Sequence, residues 1–271
     1  MPHLITQQDF RMVQKLPFCY LCGKQFKLGD DINRDHMPPS ALFEQEDRDV
    51  SLILPTHAEC NAREHVFDEF IGQFVSLIHG RPLKPGHRPL DATVAHVAGR
   101  PVTLSRGLNI HHFIRRCVRG FHAALYHEWL PSDTENVFHP PLRGGQLDGD
   151  TGQPTDEVQA MLVGDQGVGQ HALFSSVLKQ NRIAGNTDKV VSRNGKCVYE
   201  CVWSNLDNGR PICIFGLKIY EWQQFDQLAG YPPRGCVGIY GPTAGGPKIA
   251  TRATDLEFPF PNTDGLDPFG Q

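Results

Sequence analysis

Residues 19–65 read CYLCGKQFKLGDDINRDHMPPSALFEQEDRDVSLILPTHAECNAREH, and two pairs of soft metal ligands bracket the stretch. Cys19 and Cys22 form a C-x2-C pair closed by Gly23, and His57 and Cys60 form an H-x2-C pair that begins thirty-five residues after Cys22. Zinc takes four tetrahedral ligands drawn from thiolate sulfur and imidazole nitrogen. A tight turn presents the first two. His57 and Cys60, spaced i, i+3, face the same way from the first turn of a helix. Together they make a Cys3His set with no open coordination position, which is the form of a structural rather than a catalytic zinc. A lone C-x2-C is equally well read as two buried thiols; the second pair at a compatible spacing favours the metal.

Between the two pairs stands Asp35-His36, followed by Pro38-Pro39, and Asn61 comes directly after the last cysteine. Asp35 offers a hard carboxylate oxygen and Asn61 an amide oxygen, ligands suited to Mg2+ or Mn2+, which retain waters and accept phosphate oxygens. His36, next to the carboxylate, is placed to activate a water, and histidine is the residue type suited to a general base. A divalent metal on one side of a scissile phosphate and an imidazole on the other is a hydrolytic arrangement. An Asp-His dipeptide alone is ordinarily a surface turn. It gains meaning here because Asn61 adjoins a proposed zinc ligand, so that zinc would fix where Asn61 sits.

These residues resemble the HNH endonucleases of the ββα-metal type, in their zinc-stapled branch. That branch reads C-x2-C, then D-H-x-P-P, a short apolar strand, and C-x2-C-N. Here the strand is Leu52-Ile53-Leu54-Pro55, and CNAREHVFDEF is similar to the branch's helix. The resemblance implies His36 as general base, Asp35 and Asn61 as ligands of the catalytic metal, and Cys19, Cys22, His57 and Cys60 as zinc ligands. Two positions depart from the pattern. His57 replaces a cysteine, which zinc tolerates, and Ser51 stands where many members carry the asparagine that orients the base.

Working outward, the 271-residue chain is 39% hydrophobic and 21% charged, enough to bury a core. It has no run of eighteen apolar residues and residues 1–18 lack a signal-peptide core, so a cytoplasmic protein with no membrane partner is expected. Eight scattered cysteines do not make a disulfide scaffold. The net charge of −4 argues against a nucleic-acid partner until its distribution is considered. Residues 1–80 carry seven Lys/Arg against twelve Asp/Glu, whereas residues 81–130 carry eight against two. A basic segment between acidic ones is a local footprint for phosphate. The alternative is that some of its arginines neutralise the acidic flanks.

The apolar spacing predicts a helix from about His57 to Ile78, stopped by Gly80 and Pro82, and another over 111–131, ended by Pro131. Arg115, Arg116 and Arg119 lie largely off the second helix's apolar face, and with His65 they are the candidate nucleic-acid contacts. Val94–Val102 suggests a short hairpin. From 171 onward the runs Ala172–Leu178, Cys197–Trp203, Pro211–Leu217 and Val237–Tyr240 read as strands, with a hairpin turn at Asn205–Gly209. Cys197 and Cys201 read as buried thiols on one strand face.

The expected fold is α+β. It comprises a ββα-metal module on its zinc staple (1–80), a basic helical segment (81–131), a loop or linker (132–170), an antiparallel β-rich region (171–241) and a flexible tail (242–271). The expected activity is metal-dependent hydrolysis of DNA with structural Zn2+ and catalytic Mg2+ or Mn2+. The alternatives are the same chemistry on RNA, which the site does not separate from DNA, and a non-catalytic zinc module that binds nucleic acid or protein.

Overall fold

The structure is a computed structural model. It describes residues 3–5, 7–48, 52–78, 81–97, 100–105, 110–131, 134–139, 176–192, 195–205, 211–219 and 236–241. Ser51, Thr155–Val163, most of the Ile219–Leu228 segment and the tail from 242 lie outside the described residues.

The fold is mixed α and β. Strand β1 (His3–Leu4) and helix α1 (Gln7–Val13) precede the C-x2-C turn. Strands β2 (Ile32–His36) and β3 (Ile53–His57) pair antiparallel, with Ile32 opposite His57 and His36 opposite Ile53. Asp35 is buried while Arg34 and His36 on either side are exposed, the period-2 alternation of a half-buried strand. Asp35-His36 is therefore the end of a strand rather than part of the following turn. Helix α2 (Ala58–Ile78) follows β3 with no loop between them, and the Ala58 N–H donates to the Asp31 carbonyl at 2.9 Å. His57 thus closes the strand instead of opening the helix.

Helix α2 buries Ile71, Phe74 and Val75. At Gly72 it passes so close to the preceding loop that a β-carbon would lie 2.5 Å from the Ala41 carbonyl oxygen. Buried Gln73 clamps the returning chain, accepting from the Lys84 N–H at 2.8 Å and donating to the Lys84 carbonyl at 3.0 Å. The hairpin of β4 (Ala92–Val97) and β5 (Arg100–Ser105) forms where it was expected.

Helix α3 (Ile110–Tyr126) is central. Ile114, Cys117, Val118, Phe121 and Leu125 are buried as the apolar spacing predicts, but so are Arg116 and His122. One side meets the ββ turn, where a β-carbon on Gly120 would lie 2.6 Å from Met37 Cγ. The other meets the sheet, where Phe121 stacks on Tyr199 at 4.7 Å. The helix ends before Pro131: His127 adopts a left-handed φ of 57° and its N–H caps the Ala123 carbonyl at 2.9 Å.

The remaining strands are β6 (Glu135–His139), β7 (Asp188–Val191), β8 (Cys197–Asn205), β9 (Pro211–Ile219) and β10 (Cys236–Gly241). With β1 they build a six-stranded sheet in the order β1-β7-β8-β9-β10-β6, antiparallel except for the β1–β7 pair. Two expectations are corrected. Glu135–His139, read as loop, is an edge strand, because five residues next to a Gly/Pro-rich stretch carry too little periodicity to stand out. Residues 176–178, read as strand, belong to a helix whose described part is 176–183. Val177, Leu178 and Asn181 are its buried positions, a helical spacing that a short apolar run does not reveal. Cys197 and Cys201 are buried free thiols as expected. No helix among the described residues is long and apolar enough to cross a membrane.

One hydrophobic cluster runs from Phe18, Tyr20, Met37 and Leu54 through Cys117 and Phe121 to Tyr199, Phe215 and Leu217. The segments that the sequence suggests as separate units therefore share a core.

Two outcomes follow for stability. An alanine at position 72 would gain about 1 kcal/mol of helix propensity, but its β-carbon meets a backbone oxygen that cannot swing aside. Gly72→Ala should lower the denaturation midpoint at an unchanged slope, by a net of about 1–3 kcal/mol. His122 is fully buried, with Nδ1 against the Tyr240 hydroxyl at 3.1 Å, and burial pushes its imidazole down to about 3. A depressed folded pKa means the native state binds fewer protons than the unfolded chain below about pH 6.5. Its contribution is complete above that pH and is lost as pH falls toward 3. Acid titration of unfolding should show this limb, and His122→Gln should flatten it.

Candidate metal centre and active site

The C-x2-C turn is shaped by its backbone. The Gly23 N–H donates to the Cys19 carbonyl at 2.8 Å and the Cys19 N–H to the Lys24 carbonyl at 3.0 Å. Gly23 has φ 77°, and a β-carbon there would fall 2.4 Å from the Trp129 indole, so both conformation and space require glycine. The end of β3 brings His57 and the first turn of α2 brings Cys60. The ligating atoms of Cys19, Cys22, His57 and Cys60 all lie within 4.8 Å of one another. A tetrahedron with metal–sulfur bonds of about 2.3 Å has edges of this order. The four residues expected as zinc ligands are thus assembled into one cluster able to hold a metal such as zinc.

The surroundings of that cluster fit a cation. Burial pushes the Cys19 thiol up to about 11, against backbone hydrogen bonds that pull it down, so a cation is what would keep a thiolate there. Cys22 Sγ lies 3.4 Å from His57 Nδ1, and the other ring nitrogen, Nε2, lies 3.4 Å from Asp30 Oδ2. A carboxylate behind a ligating histidine fixes its tautomer and orientation. Asp30 also accepts from the Lys27 N–H at 2.7 Å, which pins the turn that carries it. Arg63 Nη2 donates to Cys60 Sγ at 3.3 Å.

Asp35 and His36 are neighbours in sequence but leave opposite faces of β2. His36 is exposed, whereas Asp35 is 5% exposed and points inward. Its Oδ2 accepts from the Tyr20 hydroxyl at 2.5 Å and from Arg116 Nη2 at 2.8 Å. Arg116 Nε donates to the Tyr20 oxygen at 3.2 Å, Nη1 donates to Asp68 Oδ1, and Glu64 Oε2 lies 3.8 Å from Nη1. Glu64 is in turn paired with His112 Nε2 at 2.6 Å. Burial raises the Asp68 carboxyl to about 6 despite the opposing pull of Arg116. A network of charge therefore joins β2, α2 and α3. Asn61 sits half-buried on the first turn of α2. Among the described residues, the Cys19 cluster is the one group of three or more His, Cys, Asp or Glu with ligating atoms this close.

The basic segment is corrected in part. Arg116 is not a surface cation: it is 3% exposed and paired internally. Arg81 pairs with Glu44 and Asp47 at 3.7 and 3.6 Å, and Lys84 Nζ donates to the carbonyls of Ala41 and Phe43. These three serve the fold. Arg115 is exposed, Arg119 half-buried, and His65 is exposed beside Glu69 at 3.6 Å. Tyr20, Asp30 and Asp68 were not among the candidates. Asp68 repeats Glu64 at i+4 and Arg116 repeats His112 at i+4, a facing pair of stripes that the sequence does carry. Nothing in the sequence marked Tyr20.

The purified protein should contain about one equivalent of zinc, and Cys60→Ala should lose both metal and fold, because metal binding is coupled to folding. Asp30→Asn should keep the four ligands but weaken zinc about 10–100-fold in a chelator competition. A folded, metal-free wild type would contradict the site. Comparison with family models, with curated proteins and with solved structures finds no match to this chain.

Proposed function

We propose that the protein is a metal-dependent endonuclease that hydrolyses phosphodiester bonds in DNA. The observation behind this reading is local: Asp35-His36 ends one strand of a hairpin whose other strand runs without a loop into the helix carrying Cys60-Asn61, with the Cys19 cluster gripping that junction. A strand–strand–helix unit stapled in this way carries the residues that hydrolysis needs, on rigid elements.

In this reading His36, exposed at the strand end, takes a proton from the attacking water. Asp35 and Asn61 hold Mg2+ or Mn2+. Their donor chemistry suits such an ion, which takes few protein ligands and keeps water and phosphate oxygens for the rest. When bound, the ion stabilises charge on the phosphate and its leaving oxygen. Arg115 and Arg119 of α3, with His65 of α2, supply the contacts to backbone phosphates. Zinc in the Cys19 cluster holds the start of α2 and so the position of Asn61.

The same chemistry on RNA is compatible with every one of these roles. A second reading is a non-catalytic zinc module that binds nucleic acid or protein. The neutralisation of Asp35 by Arg116 favours it, since a carboxylate with a buried counter-ion is accounted for without a second metal. Incubation of supercoiled plasmid with Mg2+, Mn2+ or chelator separates the readings. His36→Ala should retain zinc, fold and DNA binding, and lose about 10²–10⁴-fold in cleavage rate. Equal cutting by wild type and His36→Ala at equal zinc content would rule out His36 as the base.

A further inference from the structure

Residues 24–36, KQFKLGDDINRDH, are neutral by count: Lys24, Lys27 and Arg34 stand against Asp30, Asp31 and Asp35. Folding unbalances them. Asp35 turns inward onto Arg116, and Asp30 is taken by the Lys27 N–H and by His57. Lys24, Lys27 and Arg34 all remain exposed, and Asp31 is the one exposed carboxylate left in the stretch. None of the three cations forms a salt bridge among the described residues. The surface beside the C-x2-C turn is therefore cationic where the sequence is not, and such local charge draws a polyanion.

The same stretch exposes apolar side chains. Leu28 is fully exposed and Ile32 is 49% exposed. Leu28 stands at the tip of a turn that is held at both ends. The Lys27 N–H donates to Asp30 Oδ2 at 2.7 Å, the Asp30 N–H returns to the Lys27 carbonyl at 3.1 Å, and the Asp30 carboxylate lies 3.4 Å from His57. Gly29 takes the left-handed φ of 94° at the tip, and a β-carbon there would meet no atom within 4 Å, so the tip projects clear of the body. Ile32 begins β2 opposite His57, against whose ring Phe26 packs edge-on at 5.0 Å. Ile32, Arg34 and His36 then follow one another on a single face of the strand, all exposed, over about 13 Å.

One exposed leucine is ordinary. A leucine on a braced turn among three exposed cations is a more particular combination. Proteins that bind the DNA minor groove place cations there and wedge an apolar side chain between base pairs, which kinks the duplex. That groove is about 6 Å wide, too narrow for a helix but open to one side chain on a turn.

We propose that the Lys27–Asp30 turn is a minor-groove wedge for duplex DNA: Leu28 enters a base step while Lys24, Lys27 and Arg34 take the phosphates beside it. This rests on the nucleic-acid partner of the proposed function and needs neither catalysis nor a second metal. It gives the outer face of the hairpin a use, and it brings a kinked, unstacked step onto the strand face that ends at His36.

The test uses the zinc-loaded full chain with no added Mg2+ or Mn2+, on a duplex carrying a fluorophore at each end. Wild type should bind with strong salt dependence and draw the ends together, read as energy transfer. Leu28→Ala should weaken duplex binding about tenfold, the worth of burying a leucine side chain, and abolish the bend. Its salt slope and melting temperature should be unchanged, since Leu28 is fully exposed. Leu28→Phe should keep the bend. Lys27→Ala and Arg34→Ala should each lower the log–log salt slope by about one unit.

Duplex affinity and bending unchanged in Leu28→Ala overturn the wedge and hand the turn to a protein partner. An equal loss on single-stranded DNA overturns it too, because a single strand has no base-pair step to open. A wild type that binds neither duplex nor single strand removes the parent reading itself. One that binds duplex with affinity and bend indifferent to Leu28 leaves that reading standing, and this proposal fails alone.

Discussion

A guanidinium taken out of water must find its counter-charges inside the protein, and the position of Arg116 dictates much else here. Its partners come from three places: Asp35 on β2, Asp68 and Glu64 on α2, and Tyr20 within the C-x2-C turn. Removing one member of such a buried set typically costs about 3–5 kcal/mol, because the remaining charge is left uncompensated. The network thus fixes how α3 lies against the hairpin and α2 more tightly than apolar packing alone, which tolerates sliding. Gly120 completes the fit by letting α3 close on Met37.

The cysteine–histidine cluster ties together a different set of elements. It joins a turn near the N-terminus to the junction of β3 and α2, which are far apart in sequence. Asp30 behind His57 and Arg63 beside Cys60 are polar supports from loop and helix, so both members of the second ligand pair are braced. Cluster and charge network meet at residues 19 and 20. Cys19 belongs to one and Tyr20 to the other, so a change in either is felt by both.

What was legible in the sequence was whatever depends on spacing. The four soft ligands, the strand–strand–helix order around them, the apolar face of α3 and the β8–β9 hairpin all follow from periods of two and about 3.6 or from ligand chemistry. What was not legible depends on tertiary partners. Arg116 lies one position from exposed Arg115, and only the facing carboxylates of α2 say which of the two turns inward. Likewise the inward turn of Asp35 and outward turn of His36 follow from strand alternation once Asp-His is placed on a strand, but the dipeptide alone reads as a turn. β6 is too short to announce itself, and it exists because β10 offers an edge. For the candidate site, the ligand set was readable and its buried hydrogen-bond partners were not.

The parallel pairing of β1 with β7 has a consequence for how the chain is made. His3 lies against Lys189 and Leu4 against Val190, so the first strand finds its neighbour only after nearly two hundred residues have left the ribosome. The elements around the metal cluster are complete by residue 78 and close through far shorter loops, which form faster. During synthesis the cluster can therefore assemble while the N-terminal strand waits, tethered by α1, with an unsatisfied edge exposed. That edge can close once β7 has emerged, whereas the far side of the sheet must wait for β10. The N-terminal residues thus report on the arrival of β7, a strand nearly two hundred residues further along the chain.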